Sequence, residues 1–173
     1  FVGQLVRGKG VDILLHAMAR LGEDARLTIA GSGAQEAELK ALALKLGLGH
    51  RVLFAGHLKG LDRDRVVASA AAVVMPSRAP ETFGLSGLEA LRHATPVVAA
   101  RVGNIHEWLM DGETGLLFES GDVDGLAAAL ARVLEAPAFA RVLGEQGREA
   151  WRARFQPQHH MQKLTEAFAR VIG

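Results

Sequence analysis

The sequence predicts an α/β fold, a doubly wound parallel sheet followed by a helical C-terminal tail. Three observations predict it. Short apolar runs recur without the alternation of a half-exposed strand, as expected of strands buried on both faces of a parallel sheet. Helical patterns separate them with connections of a few residues, which implies right-handed crossovers. After Asp122 the strand-like runs stop and helical patterns remain.

Phe1-Val2 is apolar at once and runs into a glycine loop. A central strand usually needs about 5 residues, so this is read as a strand cut near its middle and the chain as a fragment. Val11, Leu14, Leu15, Met18 and Leu21 then recur at helical spacing. Arg26 to Ala30 reads as a strand stopped by Gly31-Ser32-Gly33, and Leu39, Leu42, Ala43 and Leu46 mark a helix closed by Gly47. Arg51 to Phe54 is the next strand, followed by a short helix over Arg63–Ala70 and a strand over Ala72–Met75. A helix is expected from Gly84 to about His93. Pro96–Ala99 is a strand with proline at its first position, where it is tolerated. Gly115–Phe118 is the last strand, and the helical tail breaks at Ala136-Pro137 and Gln156-Pro157. No linker or repeat divides residues 1–173, which are read as one domain.

Composition narrows the function. The chain is 49% hydrophobic and 23% charged, ordinary for a soluble globular protein, and its formal net charge is +1. That balance gives no electrostatic case for a nucleic-acid or membrane-surface partner, so any bound anion must be held locally. The absence of cysteine excludes disulfides and thiolate-ligated metals and fits a reducing compartment, so a cytoplasmic location is expected. No apolar run approaches the roughly 20 residues of a transmembrane span. The seven histidines form no ligand-like cluster, and the adjacent His159-His160 are expected to be solvated.

Ligands of an open parallel sheet bind beyond the carboxyl ends of its strands. Loops 4–10, 31–35, 56–61 and 76–84 qualify, and all carry glycine. The sharpest segment is Glu81-Thr82-Phe83-Gly84-Leu85-Ser86-Gly87-Leu88-Glu89. A helix starting near Gly84 would turn the free amides of Phe83, Gly84 and Leu85 toward the strand ends as a positive pole for phosphate. Glu81 precedes this helix and Glu89 lies about five residues into it. At ~1.5 Å rise per residue, the two carboxylates would flank a phosphate rather than share it. Such a pair suits an elongated ligand with hydroxyls at both ends and charge in the middle, the shape of a nucleotide sugar. Lys9 supplies the cation.

The ordered set Phe83-Gly84-Leu85, Leu88-Glu89-Ala90, Thr95 to Ala99, Gly103, Glu107 and Asp111 to Gly115 resembles the retaining glycosyltransferases of family four. Phe1-Val2-Gly3-Gln4 through Lys9-Gly10, Gly31-Ser32-Gly33, Val52 to Gly56 and the tail continue the likeness over essentially the whole chain. The resemblance implies the Rossmann-like C-terminal, donor-binding half of a GT-B fold, with the acceptor-binding N-terminal half absent. It implies that Glu81 contacts the donor sugar, Glu89 holds the ribose hydroxyls, and Phe83, Gly84 and Leu85 hold the distal phosphate with Lys9. It further implies retention of anomeric configuration, no cofactor and no metal. A full-length protein peripheral to a membrane is compatible with it.

Departures from the family pattern stand out. Gln4 occupies the position of an arginine that usually partners the lysine, which is expected to weaken donor binding. Ala94 replaces a glycine, read as a packing variation, and Asn104 replaces the second glycine of a pair beside the sugar pocket. Gly31 either borders the nucleoside or serves an ordinary strand-to-helix turn. Leu58 and His57 either neighbour the base through their backbone or form a surface loop. Glu107 is expected to bond nearby amides, and Trp108 and Trp151 to pack. The leading expectation is binding of a nucleoside-diphosphate sugar, with negligible transfer by this fragment alone. The alternative is a non-catalytic nucleotide-sugar-binding module or lapsed transferase subunit. A dinucleotide oxidoreductase is disfavoured because no Gly-x-Gly-x-x-Gly turn follows the first strand.

Overall fold

The computed structural model describes residues 1–172, with the side chains at 157, 159, 160, 162, 163 and 170–172 outside the described set. The expectation for His159 and His160 falls on those side chains. Five parallel strands, β1 (Leu27–Ala30), β2 (Val52–Gly56), β3 (Val73–Met75), β4 (Val97–Ala100) and β5 (Leu116–Phe118), alternate with α1 (Val11–Met18), α2 (Glu36–Lys45), α3 (Gly60–Ser69) and α4 (Leu85–Arg92). The tail is α5 (Val123–Glu135), α6 (Pro137–Arg154) and α7 (Pro157–Ile172). Both breaks fall at the prolines, Pro137 opening α6 and Pro157 opening α7, because proline fits a first helical turn but not an interior.

The strands form two ladders, β1-β2 and β3-β4-β5. Phe1-Val2 does not form a regular strand: Val2 makes an isolated parallel bridge with Ala30. The segment nonetheless runs along β1. Ala30 N–H donates to the Phe1 carbonyl at 2.9 Å and Gly3 N–H to the Ala30 carbonyl at 3.0 Å. A cavity of about 310 Å³ has Phe1, Val2, Leu27, Ala72, Val73 and Val74 in its lining.

Strand alternation divides the core. Val74, Val98 and Ala100 enter one cluster with Leu14, Leu15, Leu126 and Leu130 of α1 and α5. Val73, Met75, Val97 and Ala99 face the other way, onto Leu88, Leu91, Ile105 and Trp108. Covering both faces is what makes β3 and β4 read as continuous apolar runs. Each fully buried aliphatic side chain contributes about 1.5–3 kcal/mol. The outer strand β2 departs from that expectation, since Leu53 is 61% exposed. It has a ladder partner on one side only and less cover.

Arg51, expected as the first residue of the β2 strand, lies before it and is buried. Its guanidinium gathers carbonyls at the end of α1 and beyond it, with Nη2 at 3.1 Å from Met18 O and 2.7 Å from Gly22 O, and Nε at 3.1 Å from Ala25 O. Carbonyls left over at a helix C-terminus need donors, and here a distant cation supplies them. Trp108 packs as expected, 3% exposed beneath α4, while Trp151 is half-buried against the same cluster.

Candidate functional site

The carboxyl end of β3 leads through Pro76 and the buried Ser77 into residues 76–84 and then α4. Within that segment the Glu81 carboxylate is 13% exposed and held on one oxygen by two donors. Lys9 Nζ lies 2.5 Å from Glu81 Oε1, and Ser77 Oγ donates to the same atom at 2.6 Å. The two residues singled out for chemistry, 72 positions apart, are therefore in direct contact.

Backbone contacts hold this arrangement. Lys9 sits in a 3-10 turn over Arg7–Lys9. The preceding Gly8 carbonyl accepts the Arg78 and Ala79 amides at 2.8 and 3.1 Å, tying the two loops together. Arg78 then grips Asp12, in the first turn of α1, by two parallel bonds of 2.6 and 2.7 Å. That hydrogen-bonded guanidinium, against the opposing effect of burial, holds the Asp12 carboxyl below its usual range. On the other side, Asn104 N–H donates to the Glu81 carbonyl at 3.1 Å. Asn104, at φ −97°, needs no glycine there.

The start of α4 follows the expected pattern. Gly84 adopts φ 70°, and a Cβ on it would meet Met75 Cε at 2.8 Å and Ile105 Cδ1 at 2.9 Å. The positive φ is what calls for glycine, because the two contacts are with the ends of flexible side chains that can shift. The Gly87 amide is the first to bond back, to the Gly84 carbonyl at 2.9 Å. Among the described residues, the amides of Phe83, Gly84, Leu85 and Ser86 have no acceptor in the protein. The Phe83 and Leu85 side chains stand out from the surface, at 49% and 68% exposed. Phe83 meets Phe155 edge-on at 5.8 Å.

Glu89 lies within α4 and is partly covered, and its Oε1 accepts from Arg63 of α3. The two glutamates are thus engaged by different elements. Gln4, Gly31 and Leu58 come together with Ser32, His57 and Arg63 around an open hollow of about 540 Å³. Gln4 is exposed on its wall. Gly31 has a packing reason to be glycine, since a Cβ would stand 1.8 Å from the Gly3 carbonyl oxygen. Glu107 departs from expectation: its side chain is exposed, and its main-chain carbonyl takes the Arg154 guanidinium at 2.8 Å. Among the described residues no group of three or more potential ligand side chains is placed to hold a metal, and no helix is long and apolar enough to cross a membrane.

The family model for glycosyl transferases group 1 matches residues 1–150. The chain belongs to that family. This group 1 glycosyl transferase chain is 37% identical over 177 residues to D-inositol 3-phosphate glycosyltransferase of Mycobacterium avium, covering 99% of the chain and 41% of the relative. Its fold matches Anabaena HepE in complex with UDP-glucose with TM-score 0.92 and 28% identity, over 98% of the chain and 47% of HepE. Sucrose-phosphate synthase from Thermosynechococcus elongatus matches with TM-score 0.91 and 34% identity, over 99% of the chain and 44% of the synthase. The chain spans less than half the length of each of these relatives.

Three site residues of the group 1 chain escape the sequence reading. Ser77 directly follows the β3 end, a position that marks it, but serine gives no sign of its partner. Arg63 and Arg78 are ordinary surface arginines by sequence, and only the fold reveals the carboxylates they meet, 26 and 66 positions away.

Proposed function

We propose that this chain holds a nucleoside-diphosphate sugar as the donor half of a retaining glycosyltransferase, which moves a hexosyl group to a glycan, lipid or small-molecule acceptor. The observation that carries the reading is the Lys9–Glu81 contact of 2.5 Å, beside helix-start amides that have no protein acceptor. A cation and fixed N–H donors suit a diphosphate, and a carboxylate beside them suits sugar hydroxyls. The complexed state of HepE, which resembles this chain at 28% identity, supports the choice of ligand.

In the proposed reaction the bond between the anomeric carbon and the diphosphate oxygen breaks, the acceptor hydroxyl oxygen bonds to that carbon on the same face, and the hydroxyl proton passes to the departing diphosphate. Negative charge grows on the departing diphosphate. The amides of Phe83, Gly84 and Leu85 and the Lys9 ammonium are fixed before the reaction, so they stabilise that charge as an oxyanion hole does. Glu81 orients the sugar and Glu89 takes the ribose. No metal is assigned a role. Acceptor-binding groups are assigned to a partner domain outside this chain, so the chain alone is proposed to bind donor without transferring it.

A second reading, a non-catalytic binding module or lapsed subunit, draws on the exposed, uncharged Gln4. One experiment addresses both. UDP, GDP and ADP are titrated against NAD by calorimetry, and transfer is assayed with the protein carrying its acceptor domain. The proposal expects micromolar binding of one nucleoside diphosphate, none of NAD, and transfer by the two-domain protein. Preference for NAD would retire both readings, and donor binding without transfer would favour the second.

A further inference from the structure

The ion pair between Arg63 and Glu89 has no part in the proposed donor binding, although Glu89 does. Helix α3 is docked on α4 by other means. Arg92 Nη2 lies 3.0 Å from Asp64 Oδ1, Thr95 Oγ1 donates to the Val67 carbonyl at 2.9 Å, and Val67 itself is buried. Arg63 differs from these contacts in its location. It lies on the wall of the same hollow as Gly31, Ser32, His57 and Leu58, and reaches from there to Glu89 Oε1.

We propose that Arg63 is a positioning residue for the ribose end of the donor, anchoring the Glu89 carboxylate so that its remaining acceptor sites meet two neighbouring hydroxyls. This rests on the donor reading and deepens it. An ionised carboxylate offers about four lone-pair sites, and one charge-assisted bond to Arg63 leaves enough for a vicinal diol. Glu89 is only partly covered, and an unanchored glutamate would lose rotamer freedom on binding. The charge-assisted bond from the Arg63 guanidinium restricts that freedom beforehand. Arg63 touches no donor atom in this account.

The test is the preference for a ribose over a 2′-deoxyribose ligand, measured by calorimetry with UDP against 2′-deoxy-UDP, GDP against 2′-deoxy-GDP, and ADP against 2′-deoxy-ADP. The wild-type chain is expected to favour the ribose form of its best ligand at least tenfold. Arg63→Ala should reduce that ratio about fivefold or more, chiefly by weakening the ribose form, and Arg63→Lys should restore part of it. Asp64→Asn breaks the neighbouring ion pair and should leave the ratio unchanged. Unfolding midpoints accompany every variant, and Arg63→Gln gives the same reading if Arg63→Ala does not fold. An unchanged ratio in the Arg63 variants, or an equal fall in Asp64→Asn, overturns the proposal. Glu89→Gln separates it from its premise. A lost preference there with a kept one in Arg63→Ala leaves Glu89 on the ribose and removes Arg63. A kept preference in Glu89→Gln overturns both assignments, and absence of any nucleotide binding by wild type overturns the donor reading itself.

Discussion

The backbone of Gly103 passes so close to Glu81 that a Cβ on the glycine would stand 2.3 Å from the Glu81 carbonyl oxygen and 2.7 Å from its amide nitrogen. Gly103 also adopts φ 53°, a conformation that costs other residues of order 1 kcal/mol or more. The Asn104 amide then bonds the same carbonyl. The Glu81 loop is therefore seated on this turn, not only on Lys9 and Ser77.

Gly103→Ala is expected to push the Glu81 loop away and weaken nucleotide-sugar binding at least tenfold. Gly112→Ala is the matched control. It has φ 78° but open space around its Cβ position, so it should cost stability through strain and leave affinity alone. Calorimetry with the preferred nucleotide sugar and a thermal melt of both variants check this. Equal affinity in Gly103→Ala and wild type would remove the turn from the site.

Gln4→Arg is expected to tighten diphosphate binding. Gln4 is exposed on the wall of the hollow, so an arginine there has room to reach the ligand. A hydrogen bond to a charged group contributes about 1.5–3 kcal/mol, and exposure favours the low end, about tenfold in Kd. Nucleoside-diphosphate titrations against wild type and variant measure it, and an unchanged Kd retires the idea.

Ala94 is a non-glycine residue at φ 58°. By sequence this position is a packing variation, and the structure adds backbone strain. Its carbonyl oxygen is wedged where a Cβ on Gly144 would be 2.0 Å away, so the turn cannot relax easily. Ala94→Gly should relieve about 1–2 kcal/mol of strain and return part of it through a more flexible unfolded chain. The expected outcome is a net gain of about 1 kcal/mol in urea unfolding. A loss of stability would contradict the strain argument.

Asp12, in the first turn of α1, has its carboxyl held below its usual value of 3.8 by the hydrogen-bonded Arg78 guanidinium. Below that value the unfolded chain binds more protons than the folded one, so the stability this pair contributes is present at higher pH and is lost as pH falls through the lowered value. Urea unfolding at decreasing acidic pH should show the loss. Asp12→Asn should flatten part of it, and a slope unchanged in that variant must come from other groups.

The order of strands and helices was legible because burial on both faces leaves a local trace. Val73-Val74-Met75 and Val97-Val98-Ala99-Ala100 are apolar whichever way each side chain points. The start of α4 was legible for a similar reason, since Gly84 is a local answer to a local turn. The exposed side of β2 was not, because Leu53 looks like any core leucine until the strand is known to lie at the outside. Ser77, Arg63 and Arg51 were missed on other grounds. Each acts through a partner that the fold brings near, and a polar side chain announces its capacity to bond without announcing where.

The central claim is that a donor diphosphate lies on the amides at the start of α4 beside Lys9. Amide-resolved NMR of the chain titrated with UDP and GDP tests it most directly. The account predicts that Gly84, Leu85 and Ser86 amides shift first and farthest with one of these ligands, and that Lys9→Ala greatly reduces their movement. Saturable binding whose shifts fall elsewhere, with these three amides unmoved, would contradict it.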